Sequence, residues 1–174
     1  VTSKVTDSKV QNQKKITINV EEKPTGEISA GAGIGTSGGS FAFVVTENNW
    51  LGTGNKIDFS VDVDSESLSG TFSYTDNNYN FTGNKLSYYA SSVSNDKPNQ
   101  GYENTILSSG VQTSFEQFKD VYLNLGLSAS YDDLRAQSGA SDTLKKQAGE
   151  FTEIAASYGF KTDKRDRAFM PTSG

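Results

Sequence analysis

The sequence predicts an all-β fold: an antiparallel, up-and-down transmembrane β-barrel. One turn is written twice. Asn48-Asn49-Trp50-Leu51-Gly52-Thr53-Gly54-Asn55-Lys56-Ile57 returns 29 residues later as Asn77-Asn78-Tyr79-Asn80-Phe81-Thr82-Gly83-Asn84-Lys85-Leu86. That offset suits one up-and-down pair of strands with its turns, so both copies fall on the same edge of a β-meander. Gly54 and Gly83 supply the positive φ that a tight turn often needs. Trp50 and Tyr79, with Gly52 and Phe81 two residues on, then form a row at one level, as in the aromatic girdle of a membrane barrel.

The second observation is alternation. Val121, Leu123, Leu125, Leu127, Ala129 and Tyr131 alternate with Tyr122, Asn124, Gly126, Ser128 and Ser130. Ile57, Phe59, Val61 and Val63 alternate with Asp58, Ser60, Asp62 and Asp64, and Leu68, Gly70, Phe72 and Tyr74 with Ser69, Thr71, Ser73 and Thr75. Period two puts each set on its own face of a strand. A soluble sandwich gives the same pattern, with the apolar face against a second sheet. The third observation, run length, separates the two. The run from Val121 to Tyr131 has the roughly 9–11 residues that a tilted strand needs to cross a bilayer, whereas sandwich strands are nearer ~5–6.

The elements follow in order. Lys14 to Glu22 reads as a short strand with Ile16, Ile18 and Val20 on one face, broken by Lys23-Pro24-Thr25-Gly26. The meander then runs through strands at 27–35, 40–46, 55–64, 67–75, 85–93, 104–114, 121–131 and 151–161. The two copies of the repeat and Phe115-Glu116-Gln117-Phe118 are its short connections. Ser94 to Tyr102 and Asp132 to Glu150 are longer and polar, the second with a helical turn capped by Asp142. Outer-membrane barrels have short periplasmic turns and longer external loops. The Asn-Asn-aromatic turns accordingly face the periplasm, and the chain enters its first meander strand from that side.

Composition removes several classes of function. The chain of 174 residues has no cysteine and no histidine, so it lacks disulfides, thiol chemistry and the commonest general base. Barrel hydrolases need a histidine beside their nucleophile or water, so the chain is expected not to be an enzyme and to need no cofactor or metal. A net charge of −5 and an isoelectric point near 4.8 argue against nucleic acid. Hydrophobic content is 33% with mean hydropathy −0.57, and no apolar stretch approaches the ~20 residues of a transmembrane helix. Half of every barrel strand is polar, so low hydropathy is compatible with a barrel.

Three separated segments carry a family resemblance. Val20-Glu21-Glu22-Lys23-Pro24-Thr25-Gly26 followed by Gly31-Ala32-Gly33-Ile34-Gly35 resembles the junction between the last POTRA repeat and the first barrel strand of the Omp85 superfamily. Glu47 to Gly54 resembles the turn after its second barrel strand. Asp163-Lys164-Arg165-Asp166-Arg167-Ala168-Phe169-Met170-Pro171-Thr172-Ser173-Gly174 resembles its segment after strand eight, with Asp166, Arg167, Pro171 and Gly174 on the motif positions. The resemblance implies an outer-membrane assembly factor of the surface antigen D15 type, in a Gram-negative bacterium. Residues 1–25 would be the end of a POTRA domain and its linker, and residues 26–174 the first eight strands or so of a larger barrel. A complete eight-stranded barrel is the rival, disfavoured by the extra strand at Ile16 and by a chain that stops where another strand should follow.

The resemblance also implies a mechanism that belongs to the backbone. The first barrel strand would form a lateral gate, and Glu27, Ile28, Ser29, Ala30, Gly31, Ala32, Gly33, Ile34 and Gly35 would be the edge that pairs with substrate strands. Glycine weakens a strand and leaves its register poorly fixed, and a weak seam offers N–H and C=O groups to an incoming strand. The glycines equally suit strong bending where the barrel closes. Ile28, Ala30, Ala32 and Ile34 should face lipid, thinly. Expected partners are outer-membrane lipids, unfolded outer-membrane barrel proteins, accessory assembly lipoproteins and periplasmic chaperones. The alternatives are an autotransporter-assembly or two-partner secretion translocator, or a passive porin-like channel. Asp58, Asp62 and Asp64 share a face and suit a hydrated acidic lumen wall better than a Ca²⁺ site. Gly31 to Gly35 is not a phosphate loop, because no Lys-Ser/Thr follows.

Overall fold

Period-two alternation becomes one continuous antiparallel ladder. A computed structural model describes residues 1–7, 12–35, 38–167 and 169–173. Two strands, β1 (Thr2–Asp7) and β2 (Lys14–Asn19), pair with each other in a sheet of their own. The other eight are β3 (Gly26–Gly35), β4 (Gly38–Glu47), β5 (Lys56–Asp64), β6 (Ser67–Tyr79), β7 (Asn84–Lys97), β8 (Tyr102–Phe118), β9 (Val121–Ala136) and β10 (Gly149–Thr162). They form a single sheet in strict sequence order, each strand antiparallel to the next. This is the predicted meander, strand for strand. β3 and β10 are its edges among the described residues.

Register sorts the side chains onto two faces. Val45 stands opposite Ile28 and Phe59, Phe59 opposite Phe72, and Phe43 opposite Ala30 and Val61. On the far half, Leu107 stands opposite Tyr131, Val111 opposite Leu127, and Leu125 opposite Tyr158. Such apolar cross-strand pairs are the unit of sheet stabilisation. The other face carries Ser40, Asp58, Ser60, Asp62, Ser73, Ser87, Gln112, Asn124 and Ser157, from the same alternation. One layer of sheet gives no enclosed core. Gly101 and Ala140 are the two buried residues among those described, and they bury each other. Gly101 has φ +78°, and a Cβ there would lie 2.9 Å from Ala140 Cα. The connections after β7 and β9 thus meet at a contact that only glycine permits.

The strands run further than the apolar pattern does. β6 to β9 reach 13, 14, 17 and 16 residues. The expected loop at 94–102 shrinks to the connection after Lys97, and residues 132–136 belong to β9. Phe115 to Phe118 lies in β8 rather than in a connection, and Lys119-Asp120 makes the turn, with Asp120 at φ +62°. Backbone ladders do not depend on apolar side chains. In these extensions, polar pairs replace them: Asn95 Nδ2 donates to Asn104 Oδ1 at 2.9 Å, Asn104 Nδ2 to Asp132 Oδ1 at 3.2 Å, and Lys97 pairs with Glu66 at 2.9 Å. The short helix α1 (Asp142–Gln147) is present, but its cap is Ser141 rather than Asp142. The Ser141 hydroxyl accepts from Leu144 N at 3.2 Å, and Asp142 occupies the first turn. The strand read from Lys14 to Glu22 ends at Asn19, and its partner β1 carried too little alternation to be foreseen.

Candidate functional site

β3 is an edge strand with an uneven seam. On its inner half, Gly26 pairs with Glu47, Glu27 with Thr46, Ile28 with Val45, Ser29 with Val44, and Ala30 with Phe43. On its outer half, Gly31 pairs with Ala42, Ala32 with Phe41, Gly33 with Ser40, Ile34 with Gly39, and Gly35 with Gly38. Five of the ten outer residues are glycine against one of the inner ten. A Cβ on Gly31 or Gly35 would meet nothing within 4 Å, and Ile34 is 95% exposed. Side-chain contact across the seam is therefore concentrated near residues 28–30, and the outer half is held by backbone bonds. Ile28, Ala30, Ala32 and Ile34 share the face of Phe41, Phe43 and Val45, as the alternation requires.

The rim at the inner end of β3 is laced by hydrogen bonds. Thr25 Oγ1 donates to Glu47 Oε1 at 2.5 Å, and Thr25 O accepts from Asn48 N at 3.1 Å and Asn48 Nδ2 at 2.8 Å. Glu47 Oε1 also accepts from Asn49 N at 2.7 Å. Gly26 lies beneath this carboxylate, and a Cβ there would come within 2.7 Å of Glu47 Oε2.

The two copies of the repeat make the same bonds. Asn49 Oδ1 accepts from Gly54 N at 2.6 Å, and Asn78 Oδ1 from Gly83 N at 2.7 Å. The Thr53 and Thr82 hydroxyls donate to Trp50 O and Tyr79 O at 2.6 and 2.8 Å. Glu47 and Asp76 each accept the amide two residues on. Asn48 Nδ2 reaches back to Thr25 O, and Asn77 Nδ2 reaches back to Gly54 O at 3.1 Å, again 29 residues apart. Gly52, Gly54 and Gly83 have φ near +75°, and Phe81 stands at φ +57° where the first copy has glycine. Trp50 and Tyr79 occupy equivalent turn positions, each about half exposed.

Asp166 closes the segment after β10. Its carboxylate accepts from Thr172 Oγ1 at 2.6 Å, Thr172 N at 2.8 Å and Ser173 N at 3.2 Å, while Asp166 N donates to Ser173 O at 3.1 Å. The Thr172 hydroxyl first, then the two amides, hold its carboxyl below the usual range. Arg167 lies 3.7 Å from the same carboxylate, and Pro171 is within the loop it closes. Gly174 lies outside the described residues. Asp163 pairs instead with Arg165, at 2.5 Å, which also holds its carboxyl well below the usual range. On the polar face, Asp58 accepts from Thr46 and Ser73 and pairs with Lys56 at 2.8 Å, while Asp64 accepts Glu66 N at 2.7 Å. Asp58 and Asp64 are thus taken up by separate partners. Sequence reasoning missed the roles of Thr25, Glu47, Asn48, Asn77 and Thr172. For Asn48 and Asn77, the doubled Asn-Asn of the repeat was the available signal.

Comparisons with known proteins agree with this geometry. The Omp85 superfamily domain matches residues 49–174. The chain is 28% identical over 176 aligned residues to the outer membrane protein assembly factor BamA of Neorickettsia risticii (strain Illinois), covering 98% of this chain and 24% of that protein. Its fold matches a crystal structure of BamA from Haemophilus ducreyi lacking POTRA domains 1–3, with TM-score 0.68 and 22% identity over 99% of this chain and 37% of that one. The chain thus spans about a quarter of the curated relative. The eight-stranded meander is a segment of a β-barrel wall of that architecture, and the chain belongs to the Omp85 superfamily.

Proposed function

We propose that this chain is the barrel-forming start of a non-enzymatic insertase of the outer membrane, which accepts unfolded barrel proteins and templates their entry at β3. Residues 1–25 are then the end of a POTRA domain and its linker, and residues 26–174 the first part of the barrel. The observation that carries this reading is the place of β3 in the sheet: among the described residues it is paired on one side only, to β4, so its other side is an edge of backbone groups, on a strand half of whose last six residues are glycine. Such an edge offers β-augmentation to an incoming strand. The work is done by main-chain hydrogen bonds, and no side-chain nucleophile or base is required.

Strand length adds a second contribution. β3, β4 and β5 have 10, 10 and 9 residues, whereas β8 has 17. At about 3.3 Å per residue and a tilt near 45°, that is a wall of about 23 Å beside β3 and about 40 Å at β8. A short wall with small lipid-facing residues thins the adjoining bilayer and lowers the barrier to a passing strand. Equal lipid thickness beside β3 and beside β8 would remove this part of the reading.

The test uses the full-length protein in liposomes, with the Asn-Asn-aromatic turns expected on the POTRA side. Folding of a urea-unfolded barrel protein is followed by its heat-modifiable gel shift. The expected result is faster folding than in empty liposomes, abolished by proline at Ala30 or Ala32. Ion conductance without acceleration would overturn the proposal in favour of a channel.

A further inference from the structure

A basic cluster meets the apolar face of the wall where β9 begins and β10 ends. Val121 and Thr162 are cross-strand partners there, followed on the same face by Leu123 opposite Phe160 and Leu125 opposite Tyr158. Phe160 is 67% exposed. The chain leaves β10 through Asp163, whose N–H donates to Asp120 O in the β8–β9 turn at 3.4 Å. Val121, Phe160 and residues 161–165 line an open cleft at this end. It holds three cations, Lys161, Lys164 and Arg165, against one carboxylate, Asp163. Arg165 takes up that carboxylate, with Nε 2.8 Å from Oδ1 and its own N–H donating at 3.2 Å. Lys161 and Lys164 make no ion pair among the described residues. The cleft thus has a surplus of positive charge on a chain whose net charge is −5.

We propose that this cleft binds an anionic phospholipid of the surrounding bilayer, with its phosphate at Lys164 and an acyl chain along Phe160, Val121 and Leu123. The apolar band of a barrel wall ends where the headgroups begin. A lysine at that level lays its stem on apolar surface and holds its ammonium among the phosphates. Lys164 is the main contact. Lys161 also borders the cleft, but alternation puts its side chain on the polar face of β10, and the Arg165 guanidinium is shared with Asp163. A zwitterionic headgroup offers the same phosphate with a cation of its own, which the surplus charge repels, so the site selects anionic lipid. A further strand on the open side of β10 would extend the sheet in its own plane and leave the face of Phe160 to lipid. The inference rests on the barrel wall and is independent of the insertase reading.

The test uses the full-length protein in a nonionic detergent, titrated with phosphatidylglycerol or with phosphatidylcholine of the same acyl chains. Bound lipid is counted by native mass spectrometry. The wild type should bind its first phosphatidylglycerol at least about tenfold tighter than phosphatidylcholine, since each cation at an anionic lipid surface contributes about fivefold. Lys164→Gln should cut that preference about fivefold, and Lys164→Arg should keep it. Asp163→Asn should raise it, because a carboxylate leaves the cleft and Arg165 is released. Phe160→Ala should weaken binding of both lipids and keep their ratio. Lys145→Gln and Lys146→Gln, on α1 at the opposite end of the wall, should change nothing. If Lys164→Gln gives no folded barrel, the wild-type preference and the response to Asp163→Asn decide. Equal binding of the two lipids by the wild type, no gain on Asp163→Asn, or the same loss from Lys145→Gln as from Lys164→Gln would overturn the site and leave a diffuse attraction. Failure to accelerate folding of a barrel protein would count against the insertase reading and leave this result standing.

Discussion

The ring of Tyr89 covers Gly110. The two are direct cross-strand partners on the polar face of β7 and β8, and a Cβ on Gly110 would lie 2.6 Å from Tyr89 Cε1 and 2.8 Å from Cζ. A glycine in a strand interior is a weak point, and an aromatic laid across it restores packing. The cover is tight from the other side too, since the same Cβ would stand 2.9 Å from the backbone oxygen of Leu127. Gly110→Ala is expected to destabilise the barrel by about 1–3 kcal/mol, as overpacking does. Tyr89→Ala should cost about 1 kcal/mol, the upper range of a cross-strand pair. The double variant should lose less than the sum, because the Tyr89 part of the clash is gone while the Leu127 part remains. Urea unfolding of the full-length protein in detergent micelles measures all three, and strictly additive losses would show that the ring does not bear on Gly110.

The repeat makes a prediction at the position where its copies differ. Phe81 takes the place of Gly52, with φ +57° against +75°, and its side chain is 94% exposed. A non-glycine residue in the left-handed region costs about 1–2 kcal/mol, and no protein contact offsets it at that exposure. Phe81→Gly is therefore expected to raise stability by about 1 kcal/mol in micelles. Asn78→Ala should lower it by about 1 kcal/mol, since it deletes the acceptor for Gly83 N at 2.7 Å. The midpoint of the heat-modifiable gel shift ranks the variants. A fall on Phe81→Gly in liposomes but not in micelles would show that the ring gains more from the lipid interface than the backbone strain costs.

Much of the barrel wall was legible because two signals in the sequence are local. Alternation at Ile57 to Val63 and at Leu123 to Tyr131 needs only the pleat to become a face, and the doubled turn needs only Gly54, Gly83 and their neighbours. What was not legible depends on residues far apart in the chain. The outer ends of β7, β8 and β9 read as loops because Asn95, Asn104 and Asp132 are turn-forming residues in isolation. Their pairing across strands 9 to 28 residues apart keeps the ladder going. The same is true of Thr25, whose partners lie 22 and 23 residues on. The helix cap moved from Asp142 to Ser141 because both types serve as caps, and the backbone of Ser141, extended at ψ +154°, decides between them. Asp166 was marked only by family likeness, and its work in closing a loop onto Thr172 and Ser173 depends on the reversal of the chain between them.

That closure carries a pH dependence of definite sign. The Asp166 carboxyl is held below its ordinary value by the Thr172 hydroxyl and by the amides of Thr172 and Ser173. A group whose folded pKa is depressed contributes stability that is present above its unfolded pKa and lost as pH falls through the folded one. The unfolded value for an aspartate is about 3.9, so the loop should stay closed from neutral pH down to about 4 and open below that. Asp163, also depressed and paired with Arg165, titrates in the same direction but makes no bond to Thr172 or Ser173. The measurement is the exchange protection of a peptide spanning residues 169–173, corrected at each pH for intrinsic exchange. The wild type should lose protection only in acid, as pH falls below the ordinary aspartate value and through the depressed one. Asp166→Asn should have less protection at pH 7 and show no acid transition, because an amide oxygen accepts more weakly than a carboxylate and does not titrate. Asp163→Asn should keep the wild-type transition. If Asp166→Asn retained the acid step, another carboxylate would be the one closing the loop, and the role given to Asp166 would be wrong.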